Sequence, residues 1–152
     1  MIVKIEEKKL KQKIARKILE SLNDWFDVEK SREKYINDCA DWLFFAAKKD
    51  DEYVGFLCLK ETGKETIELA VMGILQEYHH QGLGRALFEQ AKKAAAERGY
   101  LFMQVKTVKL GVFPEYDQTN YFYRSMGFKE FEVIKEIWDE ENPCQIYVMS
   151  LK

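Results

Sequence analysis

Apolar side chains change their spacing along this chain, and each change marks an element. Residues 2–5 make a short first strand. From Lys8 onward Leu10, Ile14, Ile18, Leu19 and Leu22 recur at helical spacing with lysines between them, which predicts an amphipathic helix. Ser21 and Asn23-Asp24 offer its stop, and Trp25-Phe26 follow in a loop. Ser31 is placed to cap a second helix running to Ala40. Three strand-like runs come next, at 42–47, 53–59 and 66–75, separated by polar turns at 48–51 and 61–64. Short polar turns with Asp or Gly favour antiparallel hairpins.

A second helical stripe is formed by Leu83, Ala86, Leu87, Ala91, Ala94 and Ala95, and Gly99 ends it. An apolar strand follows at 101–107. Strand, helix and strand in succession form a crossover unit, so the strands before and after this helix are expected to be parallel neighbours. The stretch 109–120 reads as a loop and 121–125 as a short helix stopped at Gly127. Two last strands, 131–138 and 145–151, flank a turn at 139–143. The pattern predicts one mixed α/β domain over residues 1–152. Its sheet has about six or seven strands, largely antiparallel with a parallel pair at the fourth and fifth, and about four helices flank it.

Composition adds exclusions. Twenty-four basic side chains stand against 26 acidic ones, a net charge of −2. Nothing there drives counterion release from a phosphate backbone, so a general nucleic-acid binder is not expected. The basic run Lys8, Lys9, Lys11, Lys13, Arg16 and Lys17 reads as a solvated helix face. Cys39, Cys58 and Cys144 are odd in number and lack metal-ligand spacing, against a disulfide framework or structural zinc. No run of about 20 apolar residues suggests a membrane span. The expectation is a reduced, cytoplasmic protein with no metal.

The chemistry concentrates between strand and helix, at Gln81-Gly82-Leu83-Gly84-Arg85-Ala86. Glycines at 82 and 84 let a ligand approach the backbone, and the first-turn amides of the helix carry the positive end of its dipole. Together they make a phosphate seat. The Walker pattern is absent, and Leu87 stands where a dinucleotide fingerprint needs glycine.

Here the chain resembles the GNAT N-acetyltransferase superfamily. His79-His80-Gln81-Gly82-Leu83-Gly84 is similar to its pyrophosphate loop, with His79 in place of the usual Gln or Arg. Phe122-Tyr123-Arg124-Ser125-Met126-Gly127-Phe128 resembles its Phe-Tyr-x-x-x-Gly-Phe, and the order of elements matches nearly throughout. The resemblance implies an acetyl-CoA-dependent N-acetyltransferase acting on a primary amine of a small molecule or peptide. Met72 and Ile74 would then give backbone contacts to pantetheine beside a bulge permitted by Gly73. Gln81, Gly82, Gly84, Arg85 and Ala86 would hold the pyrophosphate.

Tyr123 resembles the family's tyrosine that protonates the departing thiolate. Glu68 interrupts an apolar strand and is the candidate base, directly or through water. Trp25, Phe26, Phe113 and Tyr116 are candidates for the acceptor pocket. Tyr116 lies seven residues before Tyr123, where many relatives carry a cofactor-contacting Asn. The resemblance also admits a homodimer. The alternative is a module that senses acyl-CoA without turning it over.

Overall fold

A computed structural model describes residues 1–22 and 29–152. Its strands are β1 (Ile2–Ile5), β2 (Leu43–Lys49), β3 (Glu52–Glu61), β4 (Thr66–Ile74), β5 (Phe102–Val108), β6 (Lys129–Asp139) and β7 (Asn142–Ser150). The helices are α1 (Lys8–Ser21), α2 (Glu29–Asp38), α3 (Leu83–Glu97) and α4 (Pro114–Ser125). The strands form one seven-stranded sheet in the order β1-β2-β3-β4-β5-β7-β6. β4 and β5 pair in parallel, from Thr66 opposite Phe102 to Glu68 opposite Gln104. The pairs β1–β2, β2–β3, β5–β7 and β6–β7 are antiparallel. This is the mixed sheet that the sequence pattern predicts.

The chain falls into two compact units, Met1–Lys60 with Ala70–Ala94 and Glu61–Leu69 with Ala95–Lys152. In the first, Ile14, Ile18 and Leu19 of α1 are buried together with Phe44, Phe56, Leu57, Leu87 and Phe88. Phe44 and Phe56 stack across β2 and β3 with centroids 5.2 Å apart. Each of these large side chains contributes roughly 1.5–3 kcal/mol by leaving water. Gly73 is here because α1 comes so close. A Cβ at this position would lie 3.0 Å from Ile18 Cγ2 and 3.1 Å from Leu22 Cδ1. The second unit buries Ile67, Leu69, Met103, Val105, Phe128 and Tyr147.

Four expectations need correction. The segment 109–120 is not all loop, because α4 begins at Pro114. Proline suits the first helical position, where its missing N–H costs nothing, and Glu115 and Asp117 favour the same turn through the dipole. Ser31 does not cap α2 but lies inside it, since the helix already runs from Glu29. Regular α-helix also stops at Asp38, ahead of Ala40, and a 3₁₀ turn continues through Cys39–Asp41. Lys11 is not solvated. Its position falls on the buried stripe with Ile14 and Ile18, and its ammonium donates to the carbonyls of Ala40 (3.3 Å) and Trp42 (2.7 Å). Among the described residues, no helix is long and apolar enough to cross a membrane.

Candidate active site

In the first unit the chain leaves β4 through a 3₁₀ turn, Gln76–Tyr78, and then reverses. Two residues in the left-handed region make the reversal, His80 at φ +62° and Gly82 at φ +80°. The first helical bond of α3 runs from the Ala86 N–H to the Gly82 carbonyl at 3.1 Å. The amides of Leu83, Gly84 and Arg85 therefore precede the helical ladder and project from its positive end. A Cβ placed on Gly82 would meet nothing within 4 Å, so the space beside this glycine is open. The expected pyrophosphate residues Gln81, Gly82, Gly84, Arg85 and Ala86 are thus brought together. Gln81, Gly82 and Arg85 are exposed, Ala86 is half-buried and Gly84 is buried.

Two side-chain contacts in this loop go beyond the sequence reading. Gln81 accepts a hydrogen bond from Lys49 Nζ at 2.8 Å and donates to the Glu77 carbonyl at 3.3 Å. Lys49 also lies 5.8 Å from the Tyr78 ring centroid, which brings a cation to the loop from the end of β2. The Leu75 N–H bonds the Val54 carbonyl at 2.8 Å, so the end of β4 sits beside the start of β3. That adjacency delivers Lys49, and only the strand order could have revealed it. His79 Nε2 lies 2.6 Å from the Ile74 carbonyl. A carbonyl only accepts, so this nitrogen carries the proton. The histidine standing in for Gln or Arg thereby clasps the loop back to β4, at one of the two residues expected to meet pantetheine. Met72 and Ile74 are both half-buried.

The second unit holds the expected catalytic side chains. Glu68 on β4 accepts from Lys106 Nζ at 2.9 Å, with side chains 13% and 28% exposed. Its carboxylate is therefore ion-paired on the sheet by a partner the sequence reading missed. Cys144 lies near this pair, and burial pushes its thiol up to about 11. Tyr123 on α4 is only 6% exposed. Its ring meets Phe128 edge-on at 5.8 Å and Tyr147 at 6.3 Å. Phe113 and Tyr116 are neighbours at the start of α4, with centroids 6.1 Å apart. Trp25 and Phe26 lie outside the described residues.

Asn120 is the polar residue that sequence reasoning overlooked. It is wholly buried on α4, and its Nδ2 donates to the carbonyls of Val108 (2.9 Å) and Tyr116 (2.7 Å). Reading 109–120 as loop hid it. No group of three or more His, Cys, Asp or Glu among the described residues is placed to hold a metal ion.

Residues 40–130, more than half of the chain, match the family model of the acetyltransferase (GNAT) domain. The chain belongs to the GNAT acetyltransferase family. This GNAT protein is an acyltransferase. It is 26% identical over 120 residues to an uncharacterised N-acetyltransferase of Chlorobaculum tepidum, covering 77% of this chain and 70% of that protein. It is 28% identical over 116 residues to a spermidine N(1)-acetyltransferase of Thermoplasma acidophilum, covering 72% and 68%. The GNAT fold is shared with an aminoglycoside 6'-N-acetyltransferase solved in complex with coenzyme A. The TM-score is 0.78 at 16% identity, and the match covers 100% of this chain and 97% of that one.

Proposed function

We propose that this GNAT acetyltransferase moves the acetyl group of acetyl-CoA directly to a primary amine of a small molecule or peptide, with no metal. The observation that carries the reading is the open N-terminus of α3. Three amides there precede the helical ladder, and the left-handed Gly82 beside them puts no Cβ in the way of a ligand. Gln81, Gly82, Gly84, Arg85 and Ala86 take the diphosphate, with Lys49 adding charge nearby. Met72 and Ile74 offer backbone groups to the pantetheine arm. The relatives support an amine acceptor, since one is named for spermidine and a structural neighbour for aminoglycosides.

The amine nitrogen attacks the thioester carbonyl, a C–N bond forms and the C–S bond breaks. An alkylammonium of pKa about 10 must first give up a proton, and Glu68 receives it directly or through water. The sulfur leaves with the electron pair of the broken bond and takes a proton from the Tyr123 hydroxyl, and the second proton of the amine nitrogen, acidic once the C–N bond has formed, passes through water to the Tyr123 oxygen and restores the phenol. Phe113 and Tyr116, neighbours in the structure, are proposed acceptor-pocket residues, as are Trp25 and Phe26, which lie outside the described residues. The reading places the enzyme in the cytoplasm, which suits three buried, unbridged cysteines.

We also propose a homodimer through β6. This strand ends the sheet, and Phe131 (62% exposed), Val133, Ile137 and Trp138 (43%) all face water from it. An uncovered apolar edge invites pairing. An antiparallel match of two β6 strands that sets Lys129 against Glu136 also sets Glu130 against Lys135 and Phe131 against Ile134.

The test of the enzymatic reading is thiol release from acetyl-CoA across polyamines, aminoglycosides and peptide amino termini, with the acetylated amine identified by mass spectrometry. An enzyme frees CoA in step with one acetylated product. A sensor module binds acetyl-CoA yet releases no thiol above background with any amine.

A further inference from the structure

The buried amide of Asn120 uses both of its N–H groups and its oxygen in hydrogen bonds. Its two N–H bonds go to the carbonyl of Val108, the last residue of β5, and to that of Tyr116, one turn back on α4. Its Oδ1 accepts the Tyr147 hydroxyl at 2.6 Å. That hydroxyl has then given its one proton, and its oxygen accepts Arg124 Nε at 3.0 Å. Arg124 is in turn held by an ion pair with Glu130 of β6. The chain of bonds pins α4 to β5 and β7 from both sides of one tyrosine hydroxyl.

Tyr147 is fully buried and could not lose these partners without stranding a polar atom in the core. Its ring is one wall of the slot that holds Tyr123, at 6.3 Å, and Phe128 is another. Asn120 and Tyr123 are three residues apart on the same side of α4. The height and rotation of the helix at Asn120 therefore set where the Tyr123 ring lies. We propose that Asn120, acting through the Tyr147 hydroxyl, is a positioning residue that aims Tyr123 for proton donation in acetyl transfer. The inference rests on Tyr123 as the acid, and it assigns a task to a residue that touches neither acceptor nor thioester.

The test is a double-mutant cycle between Tyr147→Phe and Tyr123→Phe, with thiol release as the assay. Tyr147→Phe keeps the ring and its packing and leaves one buried acceptor, Asn120 Oδ1, without its donor, a smaller perturbation than removing the whole amide in Asn120→Ala. Alone, it is expected to lower kcat about tenfold and to leave KM for acetyl-CoA within about twofold. In the Tyr123→Phe background the same change is expected to alter kcat by less than about twofold, because there is no hydroxyl left to aim. Asn120→Ala, where it folds, follows the same pattern. An equal loss in both backgrounds, or no loss in either, overturns the positioning role and leaves the acid intact. An unchanged kcat in Tyr123→Phe alone removes the acid, and the positioning role falls with it.

Discussion

Gly82 and Gly99 stand just outside opposite ends of α3 and offer a matched pair of perturbations. Both are left-handed, at φ +80° and +88°, and a Cβ on either would meet nothing within 4 Å. Alanine at either position therefore suffers the same backbone penalty, roughly 1–2 kcal/mol, and no clash. For a chain of this size that lowers the melting temperature by about 2–8 °C. Ligand binding separates the two. Gly82 adjoins the amides of Leu83, Gly84 and Arg85, and a methyl there is expected to hinder a phosphate from reaching them. A methyl on Gly99 lies at the far end of the helix, beyond the bond from the Gly99 N–H to the Ala96 carbonyl. Each amide bond to a charged phosphate oxygen is worth about 1.5–3 kcal/mol. Losing one weakens binding roughly 10- to 150-fold. Calorimetric unfolding and isothermal titration with CoA read both quantities on the same samples. Gly82→Ala should lose stability and affinity together, whereas Gly99→Ala should lose stability alone. Equal CoA affinity in the two variants would refute the reasoning.

Three further perturbations probe other parts of the account. Glu68→Gln leaves the Lys106 ammonium without its partner and should cost both stability and kcat, while Glu68→Gln with Lys106→Met should recover the stability only. Recovery of kcat in that double variant would reduce Glu68 to a structural anchor. Lys129→Glu should shift the protein toward monomer in sedimentation velocity, and Lys129→Glu with Glu136→Lys should restore the dimer; a monomeric parent, or a swap that fails to rescue, rejects the β6 register. The folded Cys144 thiol titrates near 11, above its unfolded value of about 8.5, so its contribution to stability is complete below the lower value and is lost as pH rises toward the higher. Urea midpoints should fall across that alkaline window, and fall less in Cys144→Ala; an identical fall would assign the loss to other groups.

Periodicity carried most of the fold. Leu87 and Ala91 of α3 are buried as their spacing implies, and the crossover logic anticipated the parallel pairing of β4 with β5. What escaped was set by tertiary contact. Lys11 occupies a buried stripe because a long stem can bury its methylenes while its ammonium finds two carbonyls, which no hydropathy pattern registers. At Gly73 a second reason for glycine also escaped, since a Cβ there would press on the side chains of Ile18 and Leu22, distant in sequence. The loop proposed to hold the diphosphate was legible because its glycines and helix start are local. Lys49, Lys106 and Asn120 were not, because each meets its site through strand order or helix register. Pro114 was the one local signal passed over.

The first-turn amides of α3 are the proposed ligands of the coenzyme's diphosphate. An amide NMR titration with CoA tests that role most directly. Leu83, Gly84 and Arg85 are expected to show the largest shifts, saturating together, and in Gly82→Ala to need roughly 10- to 150-fold more CoA for the same displacement. Saturable shifts that leave these three amides in place would contradict it.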